Sequence, residues 1–293
     1  MEVEKLVYGI YPKTNELRLH IGRWEKERLP DAALNGEIES EKRLFYQSLD
    51  GNEIEHTDPL FNWYDILRPL CLITDGIDLG PLSRFKETNS FYRMPIINSI
   101  NGMTIDPVDF SPLNENPPLP LYLPDREHFS AFFPSPLSFY KMSRSALNYD
   151  KFQAGIEKLY SDILKQYGIK KAVLYDPIPY EENDVLDLGK LSEFQVRLVT
   201  TGRLYSGNIK GKIHSVIADY TPDNFKISRE KSTVPGLKLI DGYSTKMENV
   251  GDMDKTIDSL DTDRVIISHR EYFDFLPRII ADRKIELISR IGE

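Results

Sequence analysis

The clearest pattern of hydrophobic and polar positions lies between residues 149 and 168. Apolar residues recur there at spacings of three and four, which is the period of one face of an α-helix. They are Phe152, Ile156, Leu159, Tyr160, Ile163, Leu164 and Tyr167. Gly168 follows as the expected end of this helix, because glycine adopts the left-handed backbone conformation at little cost. The apolar run at 172–175 then predicts a strand buried on both faces, as in a parallel sheet.

The same alternation of strand and helix extends over most of the chain. The pattern predicts strands at 6–11, 172–175, 196–200, 225–228, 237–240 and 264–268, and helices at 30–49, 149–167, 252–260 and 275–291. Such alternation is typical of a parallel sheet with helices outside it. The length of 293 residues suits one barrel domain. We therefore predict an α/β fold, a single (β/α)8 TIM barrel over residues 1–293, with an open doubly wound sheet as the alternative.

A proline-rich stretch interrupts this alternation between Ser111 and Asp125. Its prolines are Pro112, Pro117, Pro118, Pro120 and Pro124. Proline lacks a backbone donor and breaks helices and central strands. We predict a loop here and not a linker between domains, because the alternation resumes at Phe132.

Composition and charge narrow the possible partners. The net charge is −9, from 37 basic and 46 acidic residues, and the longest basic stretch is the short segment 210–212. Nucleic-acid binders usually present a basic face, so we expect no nucleic-acid partner. No window approaches the roughly 20 apolar residues that a membrane span requires, and the N-terminus has no signal-peptide pattern. We expect a cytoplasmic protein without a membrane partner.

Polar residues follow several of the predicted strands, where TIM barrels carry their functional groups. Asp176, Asp241 and His269 are the candidate catalytic residues, because carboxylates and imidazoles can bind polar ligands or act in acid–base chemistry. The alternative is that these three residues have structural and not catalytic roles. Both aspartates precede a proline or glycine and could cap turns, and a lone histidine is more often a hydrogen-bonded residue than a ligand.

The single cysteine of the chain limits the zinc sites that it could form. A zinc ion that activates a thiol usually has cysteine and histidine ligands, and the only cysteine is Cys71, within an apolar run. We expect this side chain to be buried and unreactive. A single thiol also excludes an intramolecular disulfide, which agrees with a reducing compartment.

Three stretches carry more specific side chains, namely 11–18, 61–65 and 241–245. Asn15, Glu16, Leu17 and Arg18 follow the first predicted strand and are candidate substrate-binding residues, since the cations of this region could hold an anionic ligand such as a polyglutamate tail. The alternative is a solvated loop entering a helix. The aromatic segment 61–65 either packs beneath one end of the barrel or stacks on a flat ligand.

These segments belong to an ordered series of motifs. The series is Gly9-Ile10-Tyr11-Pro12, Asn15-Glu16-Leu17-Arg18, Trp24 to Leu29, Phe61 to Asp65, Leu79-Gly80-Pro81 with Arg84, Phe91-Tyr92-Arg93, Pro136 to Arg144, Asp176-Pro177, Thr200-Thr201 and Asp241-Gly242. It resembles the N-terminal half of the cobalamin-independent methionine synthases. That family transfers a methyl group from a polyglutamated folate to homocysteine and has two face-to-face (β/α)8 barrels. The resemblance implies the zinc-free N-terminal barrel, which contributes to the folate-tail surface.

The departures from the family concern the zinc ligands. Where the zinc-bearing half has His-x-Cys, this chain reads Gly202-Arg203-Leu204, and where that half has a late cysteine, it reads His269-Arg270-Glu271. In the folate-tail motif, Asn15 replaces the first arginine and Arg18 replaces the final lysine. The resemblance therefore implies no metal or cofactor bound by this chain itself.

Three functions follow as hypotheses. The first is a subunit that supports methyl transfer to homocysteine together with a separate zinc-bearing methionine synthase barrel, with polyglutamated folate or another methyl carrier as ligand. The second is a stand-alone TIM-barrel enzyme of different chemistry that uses Asp176, Asp241 and His269. The third is a catalytically silent protein that binds a methyl carrier such as a pterin or corrinoid.

Overall fold

An eight-stranded parallel sheet organises the fold. The structure, a computed structural model, describes residues 1–85, 90–104 and 127–292. The strands are β1 (Glu2–Val7), β2 (Glu55–His56), β3 (Ile77–Arg84), β4 (Phe91–Ile97), β5 (Ala131–Pro134), β6 (Arg144–Ser145), β7 (Lys171–Tyr175), β8 (Leu186–Asp187), β9 (Gln195–Val199), β10 (Ile209–Lys210), β11 (Ser215–Asp219), β12 (Gly236–Ile240) and β13 (Arg264–His269). The helices are α1 (Asn15–Trp24), α2 (Asp31–Asp50), α3 (Arg68–Ile73), α4 (Pro136–Lys141), α5 (Tyr149–Gln166), α6 (Pro222–Lys231), α7 (Val250–Asp258) and α8 (Arg278–Ser289).

The strand order shows how the sheet curls. It is β2-β1-β13-β12-β11-β9-β7-β5, so the first and last strands of the chain are neighbours, and every adjacent pair is parallel. The two edges meet at one bridge between His56 and Phe129. There His56 N donates to His128 O at 2.8 Å and Ser130 N donates to His56 O at 2.8 Å. Within the described residues no longer ladder joins β2 to β5, so the curled sheet is compatible with a TIM-like barrel.

Both faces of the central strands are buried, as the apolar runs predicted. Val265 and Ile267 of β13 pack into one apolar cluster with α8, whereas Ile266 between them packs into a second cluster. Side chains alternate across a strand, so covering both faces requires apolar residues at every position. Helix α5 confirms the predicted apolar stripe. Asn148 caps its first turn by accepting a hydrogen bond from Lys151 N at 3.0 Å.

Two predicted strands are placed differently in the structure. The predicted strand at 225–228 is wrong, because these residues lie inside α6. Thr221 accepts a hydrogen bond from Asn224 N at 3.1 Å and Pro222 occupies the first turn, so the local sequence starts a helix. The strand of this unit is β11, which precedes the helix. The predicted strand 6–11 lies earlier, at β1, because Gly9 turns the chain with a φ of 80°.

The helix layer is interrupted beside β9. The connections 176–194 and 200–214 contain no α-helix, and a two-stranded ribbon of β8 and β10 runs there instead. Strands β3, β4 and β6 form a separate three-stranded sheet. No helix of the described part of the chain is long and apolar enough to cross a membrane. The predicted proline-rich loop at 111–125 lies outside the described residues.

Candidate functional site

Four aromatic side chains meet at the C-terminal ends of the parallel strands. They are Tyr8 after β1, Phe132 in β5, Tyr175 at the end of β7 and Tyr272 after β13. All six pairs of ring centroids lie between 4.9 and 6.3 Å apart. Because β1 and β13 are separated from β5 and β7 within the sheet, the four rings converge on its concave side. We call this group the aromatic cluster, and it occupies the place where a barrel enzyme holds its substrate.

His269 lies directly beside this cluster and is fully buried. Its Nε2 accepts a hydrogen bond from Tyr8 N at 3.1 Å, and its Nδ1 lies 2.6 Å from Glu271 O, so that Nδ1 carries the proton. The ring is stacked between Tyr8 and Phe273, with centroids 4.3 and 4.2 Å away. Burial lowers the pKa of His269 to about 3, which keeps the ring neutral. Both nitrogens are occupied by the backbone, and a catalytic role for His269 stays a prediction.

Asp176 lies at the end of β7 and is also fully buried. Its carboxylate accepts hydrogen bonds from the hydroxyls of Ser135, Ser138 and Tyr180, the last two at 2.7 and 2.5 Å. Burial raises the pKa of Asp176, and the three hydroxyl donors oppose that rise. The arrangement connects β7 to the first turn of α4, because Ser135 is the N-cap of that helix.

Asp241 follows β12 and forms a turn. Its Oδ1 accepts from Tyr243 N at 2.8 Å and from Ser244 N at 3.1 Å, which is the local pattern of an aspartate-capped turn. Within the described residues, no hydrogen bond or ion pair joins any two of Asp176, Asp241 and His269. The structure therefore gives each of these predicted residues a separate set of partners.

A charged group that the sequence analysis missed also lies near the aromatic cluster. Lys238 of β12 is fully buried, and its Nζ lies 3.3 Å from Asp219 Oδ1. Arg270 Nε lies 3.7 Å from the same oxygen, and Tyr175 donates to Glu271 Oε2 at 2.7 Å. Burial lowers the pKa of Lys238 and Asp219 opposes that change. A lysine within the apolar run Gly-Leu-Lys-Leu-Ile was the available signal, since lysine is almost never buried without a partner.

The segment predicted to bind substrate forms the start of α1. Leu17 is 1% exposed and belongs to the core, so it presents no side chain to a ligand. Asn15 and Arg18 line a surface groove of about 540 Å³ together with Lys13 and Arg278. The structure thus brings three cations and one amide of this region to a single groove.

The charges of Lys13 and Asp274 affect each other's pKa. Burial and, to a smaller extent, the Arg18 charge lower the pKa of Lys13 to about 8, and Asp274 opposes this change. Burial raises the pKa of Asp274 to about 6. The Lys13 ammonium also lies 4.5 Å from the ring centre of Tyr64, a cation–π contact.

Several large apolar side chains around these strand ends are exposed. We call Tyr64, Tyr243, Phe275 and Ile279 the apolar rim, and their exposures run from 53% to 71%. Tyr243 and Phe275 contact each other, with ring centroids 5.4 Å apart. The aromatic segment 61–65 is divided between two environments, because its Phe61 and Trp63 are buried while its Tyr64 belongs to the rim.

Cys71 is not suited to bind zinc. It is 5% exposed in α3, and its Sγ donates to Leu67 O at 3.3 Å. Burial raises the pKa of this thiol well above its usual range, whereas zinc binds the thiolate. Over residues 1–85, 90–104 and 127–292, no group of three or more His, Cys, Asp or Glu residues could hold a metal ion. The residues present do not fit the zinc site of the family that the sequence resembles.

Two bacterial proteins are among the solved structures with a similar fold. One is named as a candidate vitamin-B12-independent methionine synthase from Listeria monocytogenes. It is 12% identical, with a TM-score of 0.62 over 97% of this chain and 94% of that one. The other is a B12-independent methionine synthase from Shewanella sp. W3-18-1 in complex with selenomethionine, 10% identical, with a TM-score of 0.57 over 89% of this chain and 88% of that one. This chain shares the fold of both proteins. No protein-family model and no curated protein matches the sequence.

Proposed function

We propose that this chain is a zinc-free (β/α)8 barrel that acts as a subunit of a cobalamin-independent methionine synthase. It would dock on a separate zinc-bearing barrel and support methyl transfer from a folate-type carrier to homocysteine. Three features support the closed barrel and the family: the pairing of first and last strands, the bridge at the sheet edges, and the shared fold of two methionine-synthase-like proteins. The chemistry itself would take place at the partner's zinc, because the described residues of this chain include no group that fits such a site.

The aromatic cluster is the observation that carries this proposal. Enzymes on this fold bind substrate at the C-terminal ends of the strands. Here Tyr8, Phe132 and Tyr175 are at most 6% exposed, and Tyr272 packs against all three. Side chains in van der Waals contact leave no space for a substrate along the barrel axis. Function is then expected at the rim and not inside the barrel.

The surface around the cluster suits a protein partner. Exposed aromatic side chains are enriched at protein interfaces and often dominate their binding energy, and the apolar rim presents three of them. In the adjoining groove Arg278 is paired with Asp282 and Glu41. Lys13 and Arg18 would therefore supply the charge that an anion meets there. A docked partner would cover the rim, and the groove would hold the anionic tail of a methyl carrier beside the interface.

An association experiment tests this function. The chain is mixed with a zinc-bearing single-barrel methionine synthase from the same organism, and both sedimentation and methionine formation are measured. We expect a complex and a faster reaction, with an interface of about 1,000 Å² or more. Phe275→Asp should weaken association at least about tenfold, because a buried aromatic anchor is worth more than ~1 kcal/mol. Leu44→Asp is the matched control, since Leu44 is 58% exposed on α2.

The cationic groove gives a second readout in the same assay. Arg18→Ala should raise KM for a triglutamate methyl carrier about fivefold and leave KM for the monoglutamate unchanged, because an exposed ion pair contributes up to ~1 kcal/mol. Unchanged sedimentation and unchanged methionine formation on mixing would overturn the proposed function.

A further inference from the structure

The interruption of the helix layer leaves a cavity far from the aromatic cluster. It has a volume of about 470 Å³ and lies between the β8–β10 ribbon and the N-terminal ends of β9 and β11. Residues Lys210, Lys212 and His214 line one side, and Ser192 and Gln195 line the other. Barrel enzymes react at the opposite, C-terminal ends of the strands, so this cavity is separate from the site of the proposed function.

The charges around this cavity are mainly positive. Two lysines line it, and Asp187 is the single acidic residue among its described lining residues. Asp187 Oδ2 lies 3.7 Å from Lys210 Nζ, at the outer limit of an ion pair. Lys212 has no ion pair within the described part of the chain. The cavity therefore holds one cation without a compensating acid, in a protein whose overall net charge is −9.

His214 adds an unused hydrogen-bonding group to the same cavity. Its Nε2 is buried and has no hydrogen-bond partner among the described residues. Burial and, to a smaller extent, the charges of Arg197, Arg264 and Lys171 together lower the pKa of His214 to about 4. A buried polar group without a partner is unfavourable, so an acceptor placed in the cavity would stabilise this site.

We infer that this cavity binds a small oxyanion, with Lys210 and Lys212 supplying charge and His214 Nε2–H supplying a directed hydrogen bond. Oxygen anions such as phosphate or a carboxylate share the chemistry that this arrangement recognises.

An NMR titration of the full chain tests this inference. The ring signals of the five histidines are recorded at pH 6.5 while inorganic phosphate is added, with acetate in a parallel series. We expect a saturable shift of the His214 ring signals and, in a pH titration, a higher pKa of His214 with phosphate than without it, because a nearby anion favours the protonated ring. Saturation by phosphate alone or by acetate alone identifies the source, and either supports an oxyanion site.

Lysine variants show whether the binding is specific. Lys212→Ala and Lys210→Ala should each weaken phosphate binding about fivefold, as expected for partly exposed charge pairs. Lys158→Ala is the matched control, because Lys158 is an exposed lysine of α5 outside the cavity lining. A His214 shift that does not saturate with either anion, or that is equal in all three variants, would overturn the inference. Neither result depends on methyl transfer or on a partner barrel.

Discussion

Single residues at the strand ends are placed by packing against the aromatic cluster, and Gly9 is the clearest case. Its φ of 80° lies in the left-handed region. A Cβ added there would lie 2.2 Å from Cδ1 of Tyr272. The sequence shows a glycine between two apolar residues, but it does not show that a ring from the other end of the chain packs on it. Local patterns predict the turn and not the contact.

Gly9→Ala should therefore destabilise the protein by about 2 kcal/mol or more, through backbone strain and overpacking against Tyr272. Urea unfolding measures the change. Gly36→Ala is the matched control, because Gly36 lies within α2 and a Cβ there meets nothing within 4 Å. That change should stabilise the protein slightly, since alanine favours a helix. A Gly9 variant as stable as the parent would show that Tyr272 does not pack on Gly9.

The buried carboxyl of Asp274 is expected to make the stability of the protein depend on pH. Burial raises its pKa from 3.8 to about 6, and Phe275 N and Lys13 oppose that rise while Glu271 adds to it. Between about pH 4 and pH 6 the folded protein binds more protons than the unfolded chain, so this group's contribution to stability falls as the pH rises. Asp274→Asn should remove that loss and stabilise the protein by about 1–2 kcal/mol at pH 7.5, with no gain near pH 4. Asp258→Asn is the matched control, because Asp258 is an exposed residue of α7. If both variants changed stability equally at every pH, the raised pKa of Asp274 would be contradicted.

Secondary-structure elements were predictable where one period dominated the sequence. Strands β7, β9, β12 and β13 and helix α5 have such patterns, and the structure confirms them. The unit of β11 and α6 was misassigned, because an apolar strand precedes a polar helix whose start depends on a capping threonine. The capping threonine and the following proline were the local signal for this helix, and long-range hydrogen bonds add to it.

Asn224 of α6 makes those long-range bonds. Its Oδ1 accepts from Leu204 N at 2.9 Å, and its Nδ2 donates to the carbonyl oxygens of Gly202 and Asp219, each at 2.9 Å. Asn224→Ala should cost about 2–3 kcal/mol, because it leaves buried backbone groups without partners. Asn52→Ala, which removes one exposed bond to Ser48, should cost about 0.5 kcal/mol or less. Equal losses in chemical denaturation would contradict the role of Asn224.

The whole molecule depends on contacts that no local pattern reveals. The sequence predicted the strand ends at which Asp176 and His269 lie, but not that the space between them is filled by rings. It also missed Lys238 and Asp219, because their pairing joins two strands and is visible only when the sheet is assembled. The closure of the sheet is also visible only in the assembled fold, because it pairs His56 with the distant Phe129.

A buried ion pair lies beside that closure. Arg197 Nε of β9 lies 2.5 Å from Glu55 Oε1 of β2, and Ser130 Oγ donates to the same oxygen at 2.6 Å. Glu55→Gln should destabilise the protein by about 3 kcal/mol, because it leaves the Arg197 charge buried without its partner. Adding Arg197→Met should recover part of this loss. Glu2→Gln, which weakens an exposed pair with Arg264, should change stability by no more than about 0.5 kcal/mol.

Hydrogen exchange then shows whether Glu55 holds the two sheet edges together. The amides of His56 and Ser130 donate across the seam, so they should be protected in the parent protein. In Glu55→Gln these two amides should exchange faster, while the amides between β7 and β9 keep their protection because their ladder does not involve Glu55. Fast exchange of His56 and Ser130 already in the parent would mean that the edges are not joined. The proposed closed barrel would then be wrong, even though the parallel sheet and its strand order would remain.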